Sequence, residues 1–225
     1  GSGRINDVEG FNKACEKFGV LGLIDSVSSL GIEDFSIDDY SSIVGWASCP
    51  QKGVLGLPLT YAPVSFKDKF IEIVAKRGCY NYVHHPILAA RHWGIIDGSD
   101  VEHAAYHQTH SCYAVASFHE ALRIILERGK PAIAAEYRKY EKILRGALSK
   151  MGCNITSNMT SLLVFDLPEE LAGKERQLVD ACRKENFGIW ATLSEPLQIR
   201  IGILNQLSPD ALIQIVDKFA DALAN

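Results

Sequence analysis

The sequence predicts an α/β fold in which a mostly parallel sheet, with helices on both faces, is followed by a smaller α+β unit. Short apolar segments alternate with helical patterns, and these segments are continuously apolar, as in strands that are covered on both sides. Of the 225 residues, 47% are hydrophobic and 22% are charged, which is typical of a globular protein. We predict two domains, residues 1–129 and 130–225, which is compatible with this length.

The first domain alternates between helical and strand patterns. Apolar residues at helical spacing, behind a cap at Asn6 or Asp7, predict a helix that ends near Phe18. The patterns that follow predict strands at 19–25, 42–48 and 54–62, a helix at 66–77, and then a histidine-rich stretch with few helical features.

Two long helical patterns lie on either side of the predicted domain boundary at residues 129 and 130. One pattern runs from Ser111 to Gly129, and the other covers residues 131–151 with its charged side chains on one side. The patterns that follow predict a strand at 161–166, a helix at 174–186, strands at 189–192 and 198–204, and a last helix that Ser208 and Pro209 open as N-cap and first residue.

Charge and cysteine usage exclude several classes of protein. The net charge of −4, without a Lys/Arg cluster, argues against nucleic acid or an anionic membrane as a partner. No segment resembles a signal peptide or a membrane span, and the six cysteines are scattered. These features predict a cytoplasmic location with reduced thiols.

Asp25 is the first candidate site residue. It ends an apolar strand, and ligand sites in open α/β sheets lie just beyond the carboxyl ends of strands. A carboxylate at this position can pair with a ligand cation, or it can simply cap the following turn. On this residue alone both interpretations remain open.

Lys52 is the second candidate. It follows the next apolar strand and is surrounded by small and apolar residues, and desolvation favours the neutral amine that forms Schiff bases. A solvated loop lysine is the alternative. Taken together, Asp25 and Lys52 match what pyridoxal phosphate needs, which is an acid for its ring nitrogen and an amine for its aldehyde.

Arg200 is the third candidate. Ile199, Ile201 and Ile203 define one face of a predicted strand, and Arg200 points to the other face. An arginine in a strand can pair with a protein carboxylate. Its planar guanidinium group can also bind a substrate carboxylate through two parallel hydrogen bonds.

Four segments in this order and spacing resemble class V, fold-type I aminotransferases, and most of all the alanine–glyoxylate and serine–pyruvate enzymes. The segments are Asp-Ser-Val-Ser-Ser-Leu-Gly at 25–31, Gln51-Lys52 followed by Pro58, Tyr-His-Gln-Thr at 106–109, and Ile-Arg-Ile-Gly-Ile at 199–203. The similarity runs through the whole chain. The resemblance implies a large domain that binds pyridoxal 5'-phosphate and a small C-terminal domain.

The resemblance also implies roles for residues around the cofactor. Lys52 would form the Schiff base and carry protons, while Asp25 would keep the pyridinium nitrogen protonated. Val27 would pack against the ring, and Gln51 would contact the phosphate.

Three further residues connect the resemblance to substrates and to a partner subunit. Tyr106 and Thr109 match positions that reach the phosphate of the neighbouring subunit's cofactor, which implies a homodimer with shared active sites. Arg200 matches the arginine that binds the substrate α-carboxylate. The implied reaction transfers an amino group between a small amino acid, alanine or serine, and a 2-oxo acid, glyoxylate or pyruvate.

The sequence departs from the family pattern near the lysine. Pro50 stands where relatives have Ser or Thr, and Leu59 stands where they have Gly. The family's phosphate loop and ring-stacking aromatic residue precede the point that matches Gly3. We therefore expect the C-terminal portion of a longer aminotransferase that lacks part of the active site by itself. The alternative is a non-catalytic paralogue or truncated subunit that keeps the dimer surface.

A zinc enzyme is a rival from another class of chemistry. His103, His107 and His110 have helical spacing, and His84 and His85 are nearby in the sequence. No carboxylate or thiol stands at convincing ligand spacing, so we predict no metal site.

Overall fold

The computed structural model describes residues 2–58, 61–96, 106–184, 188–193, 196–203 and 209–224, and these ranges confirm the α/β class. The helices are α1 (Val8–Phe18), α2 (Asp68–Arg77), α3 (Pro86–His92), α4 (Cys112–Arg128), α5 (Lys130–Lys150), α6 (Glu175–Lys184) and α7 (Pro209–Ala224). The strands are β1 (Gly22–Asp25), β2 (Ile43–Ala47), β3 (Val64–Phe66), β4 (Asn154–Ile155), β5 (Leu162–Asp166), β6 (Trp190–Ala191) and β7 (Ile199–Gly202).

The first sheet has the strand order β1-β2-β3. Strands β1 and β2 are parallel, with Asp25 opposite Ala47, whereas β3 is antiparallel to β2 and places Val64 opposite Ala47. Because β1 and β2 run in the same direction, their carboxyl ends lie at the same edge of the sheet. The loops that follow Asp25 and Ala47 therefore start side by side.

Helix α1 confirms the first sequence prediction. The carboxylate of Asp7 accepts a hydrogen bond from the Gly10 amide at 2.9 Å and caps the first turn. Gly19 ends the helix in the left-handed region with φ of 63°, and its amide bonds to Glu16. Cys15 is buried on the face that packs toward β1.

The second sheet is antiparallel, with the strand order β4-β5-β7-β6. Its central strands are the most buried part of the described chain, since Leu163, Val164, Phe165 and Ile199 have no exposed surface. Side chains from α4 to α7 complete a core around this sheet, and Ile32 and Val54 from the first half also contribute to it. The division of the chain at residue 129 stays a prediction.

Two sequence predictions were wrong. The described residues of the predicted strand 54–62, namely 54–58 and 61–62, are not in a strand, because consecutive left-handed residues, Leu55 with φ of 54° and Gly56 with φ of 63°, turn the backbone there. The apolar side chain of Val54 is buried from a turn instead. The histidine-rich stretch does contain a helix, α3, which Pro86 opens and His85 caps through a bond from the Leu88 amide to His85 Nδ1 at 3.4 Å.

The other predicted helices and strands are confirmed within a few residues, except where they extend beyond the described ranges. The proposed N-cap at Ser208 lies outside those ranges. Within them, every helix is too short or too polar to cross a lipid bilayer.

Candidate active site

Hydrogen bonds tie the ends of β1 and β2 together at the edge where Asp25 lies. The Ser26 amide and hydroxyl both donate to the Ala47 carbonyl, at 2.9 and 3.1 Å, and the Ser48 hydroxyl donates to the Ser26 carbonyl at 3.0 Å. Both serines are buried, so these bonds are protected from water. These hydrogen bonds therefore fix the starts of the two loops relative to each other.

Further along, the same two loops touch through glycine backbone. A β-carbon at Gly53 would stand 2.0 Å from the Leu30 carbonyl oxygen, and one at Gly31 would stand 2.5 Å from the Gly53 carbonyl oxygen. Only residues without a side chain allow this approach. Lys52 immediately precedes Gly53, so the structure holds Lys52 and Asp25 on loops that contact each other at one edge of the sheet.

One carboxylate oxygen of Asp25 accepts a hydrogen bond within the described chain, and the other does not. Its Oδ1 accepts a hydrogen bond from the Val27 amide at 2.8 Å, which forms the turn cap that the sequence offered as an alternative. Within the described chain, Oδ2 accepts no hydrogen bond, and the side chain is exposed. The capping bond fixes the carboxylate and leaves the other oxygen free to bind a ligand.

Lys52 lies in a turn and is half-buried, while Gln51 beside it is exposed. The carbonyl of Lys52 accepts a hydrogen bond from the Gly56 amide at 3.0 Å, which closes the turn. The amine of Lys52 makes no hydrogen bond or ion pair with the described part of the chain. It is therefore available for a reaction.

Arg200 lies on β7, between Val164 of β5 and Trp190 of β6. Its Nε is buried and has no hydrogen-bond partner. Nearby Asp166 instead accepts bonds from Asn154 at 3.0 Å and from Gln198 at 2.8 Å. Among the described residues Arg200 has no carboxylate partner, so the sequence-based alternative of an internal ion pair is not observed.

Ser161 connects the strand of Arg200 to the loop of Asp25. The Ser161 hydroxyl donates to the Ser28 carbonyl at 2.8 Å, and the Ser161 carbonyl accepts from the Ile203 amide at 2.8 Å. The Thr160 amide also donates to Glu33 at 2.9 Å. Ser26, Ser48 and Ser161 were not predicted as site residues. For Ser26 and Ser48 a signal was available, because each directly follows an apolar strand.

Tyr106 and Thr109 form a pair of hydroxyl groups. Their side-chain oxygens are hydrogen-bonded to each other, and Tyr106 is 70% exposed. In the described chain, no hydrogen bond or ion pair joins them to Asp25, Lys52 or Arg200.

Tyr82 and His92 hold the segment that carries this pair. The Tyr82 hydroxyl donates to the His107 carbonyl at 2.7 Å, and His107 Nε2 bonds to the Tyr82 carbonyl at 2.6 Å. The His107 amide donates to His92 Nδ1 at 3.0 Å. Tyr82 and His92 could not be predicted from the sequence, because side chains that support irregular backbone leave no periodic pattern.

Two residues that the sequence singled out, Leu59 and His103, lie outside the described ranges. Among the described residues there is no group of three or more His, Cys, Asp or Glu side chains that could hold a metal ion.

Comparisons with known proteins confirm the resemblance to aminotransferases. No protein-family profile matches the chain. Alanine–glyoxylate aminotransferase of Felis catus is 27% identical over 157 residues, which are 68% of this chain and 36% of that protein. The enzyme of Mus musculus is 26% identical over 238 residues, with 99% and 53% covered. The chain thus spans between about a third and a half of these curated relatives.

Solved structures show the same fold. Alanine–glyoxylate aminotransferase from Nostoc sp. superposes with a TM-score of 0.86 at 22% identity, over 98% of this chain and 58% of that one. Ureidoglycine–glyoxylate aminotransferase from Bacillus subtilis gives a TM-score of 0.84 at 18% identity, over 99% and 57%. The predicted fold class is confirmed.

Proposed function

We propose that this chain forms the lysine-bearing part of a pyridoxal-phosphate-dependent aminotransferase that acts on a small amino acid, alanine or serine, and a 2-oxo acid, glyoxylate or pyruvate. One observation carries this assignment. Asp25 and Lys52 lie on loops in backbone contact, and Ser161 links the strand of Arg200, whose Nε has no hydrogen-bond partner among the described residues, to the same region. The relatives and structures named above support this choice of reaction.

The side chains of Lys52 and Asp25 have the chemistry that binding of pyridoxal phosphate requires. Pyridoxal phosphate, when bound, supplies an aldehyde that reacts with amines and a ring that withdraws electrons from the substrate carbon. The Lys52 amine would hold the aldehyde carbon, and once released it would move a proton to and from the substrate Cα. The free oxygen of Asp25 would keep the proton on the ring nitrogen. Val27, bonded to Asp25 through its amide, would lie beside the ring.

The substrate and phosphate contacts follow from exposure and unmet hydrogen bonds. The buried Nε of Arg200 needs an acceptor, and the carboxylate of an amino acid or 2-oxo acid would provide it. Exposed Gln51 would contact the cofactor phosphate from its own subunit. The exposed Tyr106–Thr109 pair would contact the phosphate in a second subunit, which makes the functional unit a homodimer.

A non-catalytic subunit is a second candidate, and Pro50 favours it. Pro50 is buried directly before Gln51 and has no amide N–H to offer to a phosphate. Such a subunit would keep the exposed hydroxyl pair and the dimer surface but would bind the cofactor weakly.

We further propose a cytoplasmic location, since all six cysteines are free thiols.

Covalent capture of the cofactor tests this assignment. The purified protein is mixed with pyridoxal phosphate, reduced with borohydride, digested and analysed by mass spectrometry. We expect the added mass on Lys52, a visible absorption band before reduction, and loss of both in Lys52→Ala. Lys69→Ala, at an exposed position on α2, is the matched control and should behave as wild type.

The result also separates the two candidates. Labelling of Lys52 together with transfer of the amino group from alanine to glyoxylate supports the enzyme. A colourless protein whose lysines are labelled at random would contradict the role of Lys52 and favour the non-catalytic subunit.

A further inference from the structure

Ser161 is a buried residue directly before β5, and its hydroxyl bonds to the loop that follows β1. The hydroxyl donates to the Ser28 carbonyl at 2.8 Å, although the two residues are 133 positions apart in the sequence. Beside this bond, the Thr160 amide donates to the Glu33 carboxylate at 2.9 Å. These two hydrogen bonds form a junction between the region of the first sheet and that of the second.

On one side, the junction reaches the turn that follows Asp25. This turn is closed by its own hydrogen bonds, since the Ser29 and Leu30 amides both donate to the Ser26 carbonyl, at 3.1 and 3.0 Å. A closed turn moves as a unit. The bond from Ser161 to the Ser28 carbonyl therefore holds the whole turn and not a single residue of it.

On the other side, Ser161 is part of the ladder that contains Arg200. Its carbonyl accepts a hydrogen bond from the Ile203 amide at 2.8 Å. From there β5 and β7 pair along their length, and Val164 of β5 lies opposite Arg200. The ladder thus fixes Arg200 relative to Ser161, and Ser161 is bonded to the turn of Asp25.

The hydroxyl of Ser161 specifies placement more than it adds stability. The residue is only 1% exposed, and a buried hydrogen bond of this kind contributes a net of about 1 kcal/mol. The same two regions also share an apolar core, to which Ile32, Val54 and Ile199 contribute. Apolar contact has no preferred direction, whereas a hydrogen bond requires a defined distance and angle.

We propose that Ser161 is a positioning residue of the active site, an inference that rests on the proposed function. It holds the strand of Arg200 in place relative to the loops of Asp25 and Lys52. Those two loops remain in contact through Gly53 without help from Ser161. A substrate that binds Arg200 must reach Lys52 at the same time, and a misplacement of about 1 Å can cost about 100-fold in rate.

Alanine and ethylamine separate positioning from stability, because ethylamine is alanine without the carboxylate and cannot use Arg200. The protein is loaded with pyridoxal phosphate, and loss of its visible absorption band gives kcat/KM for each amine. We expect Ser161→Ala to lower kcat/KM about tenfold for alanine and by less than about twofold for ethylamine. Borohydride labelling of Lys52 by the cofactor should stay as in wild type.

Ser157→Ala is the matched control. Ser157 is also buried, and its hydroxyl accepts a hydrogen bond from the Val164 amide at 3.0 Å, away from the junction. This variant should lower Tm about as much as Ser161→Ala but keep the alanine-to-ethylamine ratio of wild type. Glu33→Ala removes the other bond of the junction, so it should lower the ratio in the same direction. It keeps the test decisive if Ser161→Ala folds poorly.

Hydrogen exchange of the amides in residues 26–31, measured by mass spectrometry without cofactor, is a readout that does not depend on activity. Exchange should be faster in Ser161→Ala than in Ser157→Ala, because only the first variant loses the bond to the turn. Unchanged exchange in Ser161→Ala would overturn the inference.

Equal losses for alanine and ethylamine in Ser161→Ala would also overturn it, as would a ratio that falls equally in Ser157→Ala. Absence of label on Lys52 in wild type would instead contradict the proposed function. The exchange of residues 26–31 would then decide by itself whether Ser161 holds the turn.

Discussion

Gly53 faces the carbonyl oxygen of Leu30 so closely that a β-carbon at position 53 would stand 2.0 Å from that oxygen. The turn after Asp25 and the turn that contains Lys52 therefore meet backbone to backbone. A carbonyl in a hydrogen-bonded turn cannot move aside as a flexible side chain can. This contact sets how far apart the acid and the amine are held.

Replacing Gly53 with Ala tests the contact. We expect Gly53→Ala to lower the free energy of unfolding by about 2–3 kcal/mol, because the new methyl group forces the two turns apart. Gly146→Ala is the control, since a β-carbon at that position of α5 would meet no atom within 4 Å in the described chain apart from its chain neighbours and the backbone of its own helix. This control should raise stability by about 0.5–1 kcal/mol. Urea denaturation measures both, and equal effects would show that the turns are not in tight contact.

Two substitutions at Asp25 separate its structural role from its proposed chemical role. Asp25→Asn keeps an oxygen for the Val27 amide but removes the negative charge, so stability should change by less than about 0.5 kcal/mol. Transamination should fall by at least about 100-fold, because a neutral amide cannot keep the ring nitrogen protonated. Asp25→Ala should additionally lower stability by about 1 kcal/mol. Full activity in Asp25→Asn would contradict the role of the carboxylate.

Arg200 should contribute to catalysis more than to stability. Its Nε has no hydrogen-bond partner in the described ranges, so Arg200→Met is expected to leave the free energy of unfolding unchanged or higher. The same variant should lose at least about 100-fold in kcat/KM for both the amino acid and the 2-oxo acid, since each carries the carboxylate.

Arg145→Met is the comparison for Arg200→Met. Arg145 forms an ion pair with Glu141 and donates to the Ser157 carbonyl at 3.1 Å. Its replacement should lower stability by about 1 kcal/mol and leave the kinetics intact. The reverse pattern, an unstable Arg200→Met with normal kinetics, would assign Arg200 a structural role.

The sequence predicted the elements that have strong local signals. Helix α1 has the capping Asp7 and the terminating Gly19, and β7 alternates buried isoleucines with Arg200. The strand predicted at 54–62 is absent from its described residues, 54–58 and 61–62, because apolar content alone does not distinguish a strand from a turn with a buried Val54. The left-handed backbone conformation of Leu55 and Gly56 produces the turn.

The candidate site was predicted as separate residues, not as an arrangement. Asp25 and Lys52 could be inferred because each follows an apolar segment. The contact between their loops depends on Ser26, Ser48 and Gly53, whose interactions cross between loops and leave no periodic signal. The sequence also could not predict that Arg200 has no carboxylate partner among the described residues, because this depends on the side chains that bond to Asp166 instead.

The bond from Tyr82 to the His107 carbonyl should stabilise the segment that carries Tyr106 and Thr109. Tyr82→Phe removes this bond and should lower the free energy of unfolding by about 1 kcal/mol. Affinity for pyridoxal phosphate should also fall, by about threefold to tenfold, if the Tyr106–Thr109 pair contacts the phosphate. Affinity for pyridoxal, which has no phosphate, should be unchanged. Tyr80→Phe, at a fully exposed position, should match wild type in every measurement.

Glu136 should make stability depend on acid pH. Its carboxylate accepts a hydrogen bond from Tyr140 and pairs with Arg128 at the end of α4. The Tyr140 hydroxyl and then Arg128 hold the pKa of Glu136 below its ordinary value of 4.5. A carboxyl whose pKa is lowered by folding stabilises the fold above the unfolded pKa, and this stabilisation disappears as the pH falls through the folded pKa.

Wild type should therefore lose stability more steeply than Glu136→Gln when the pH falls below 4.5. Because the pair is partly exposed, the variant should be less stable at neutral pH by no more than about 1 kcal/mol. Urea denaturation at a series of pH values measures both effects. Glu72→Gln, at an exposed position on α2, should keep the steep loss of wild type. Parallel curves for wild type and Glu136→Gln would show that the link between α4 and α5 does not contribute to acid sensitivity.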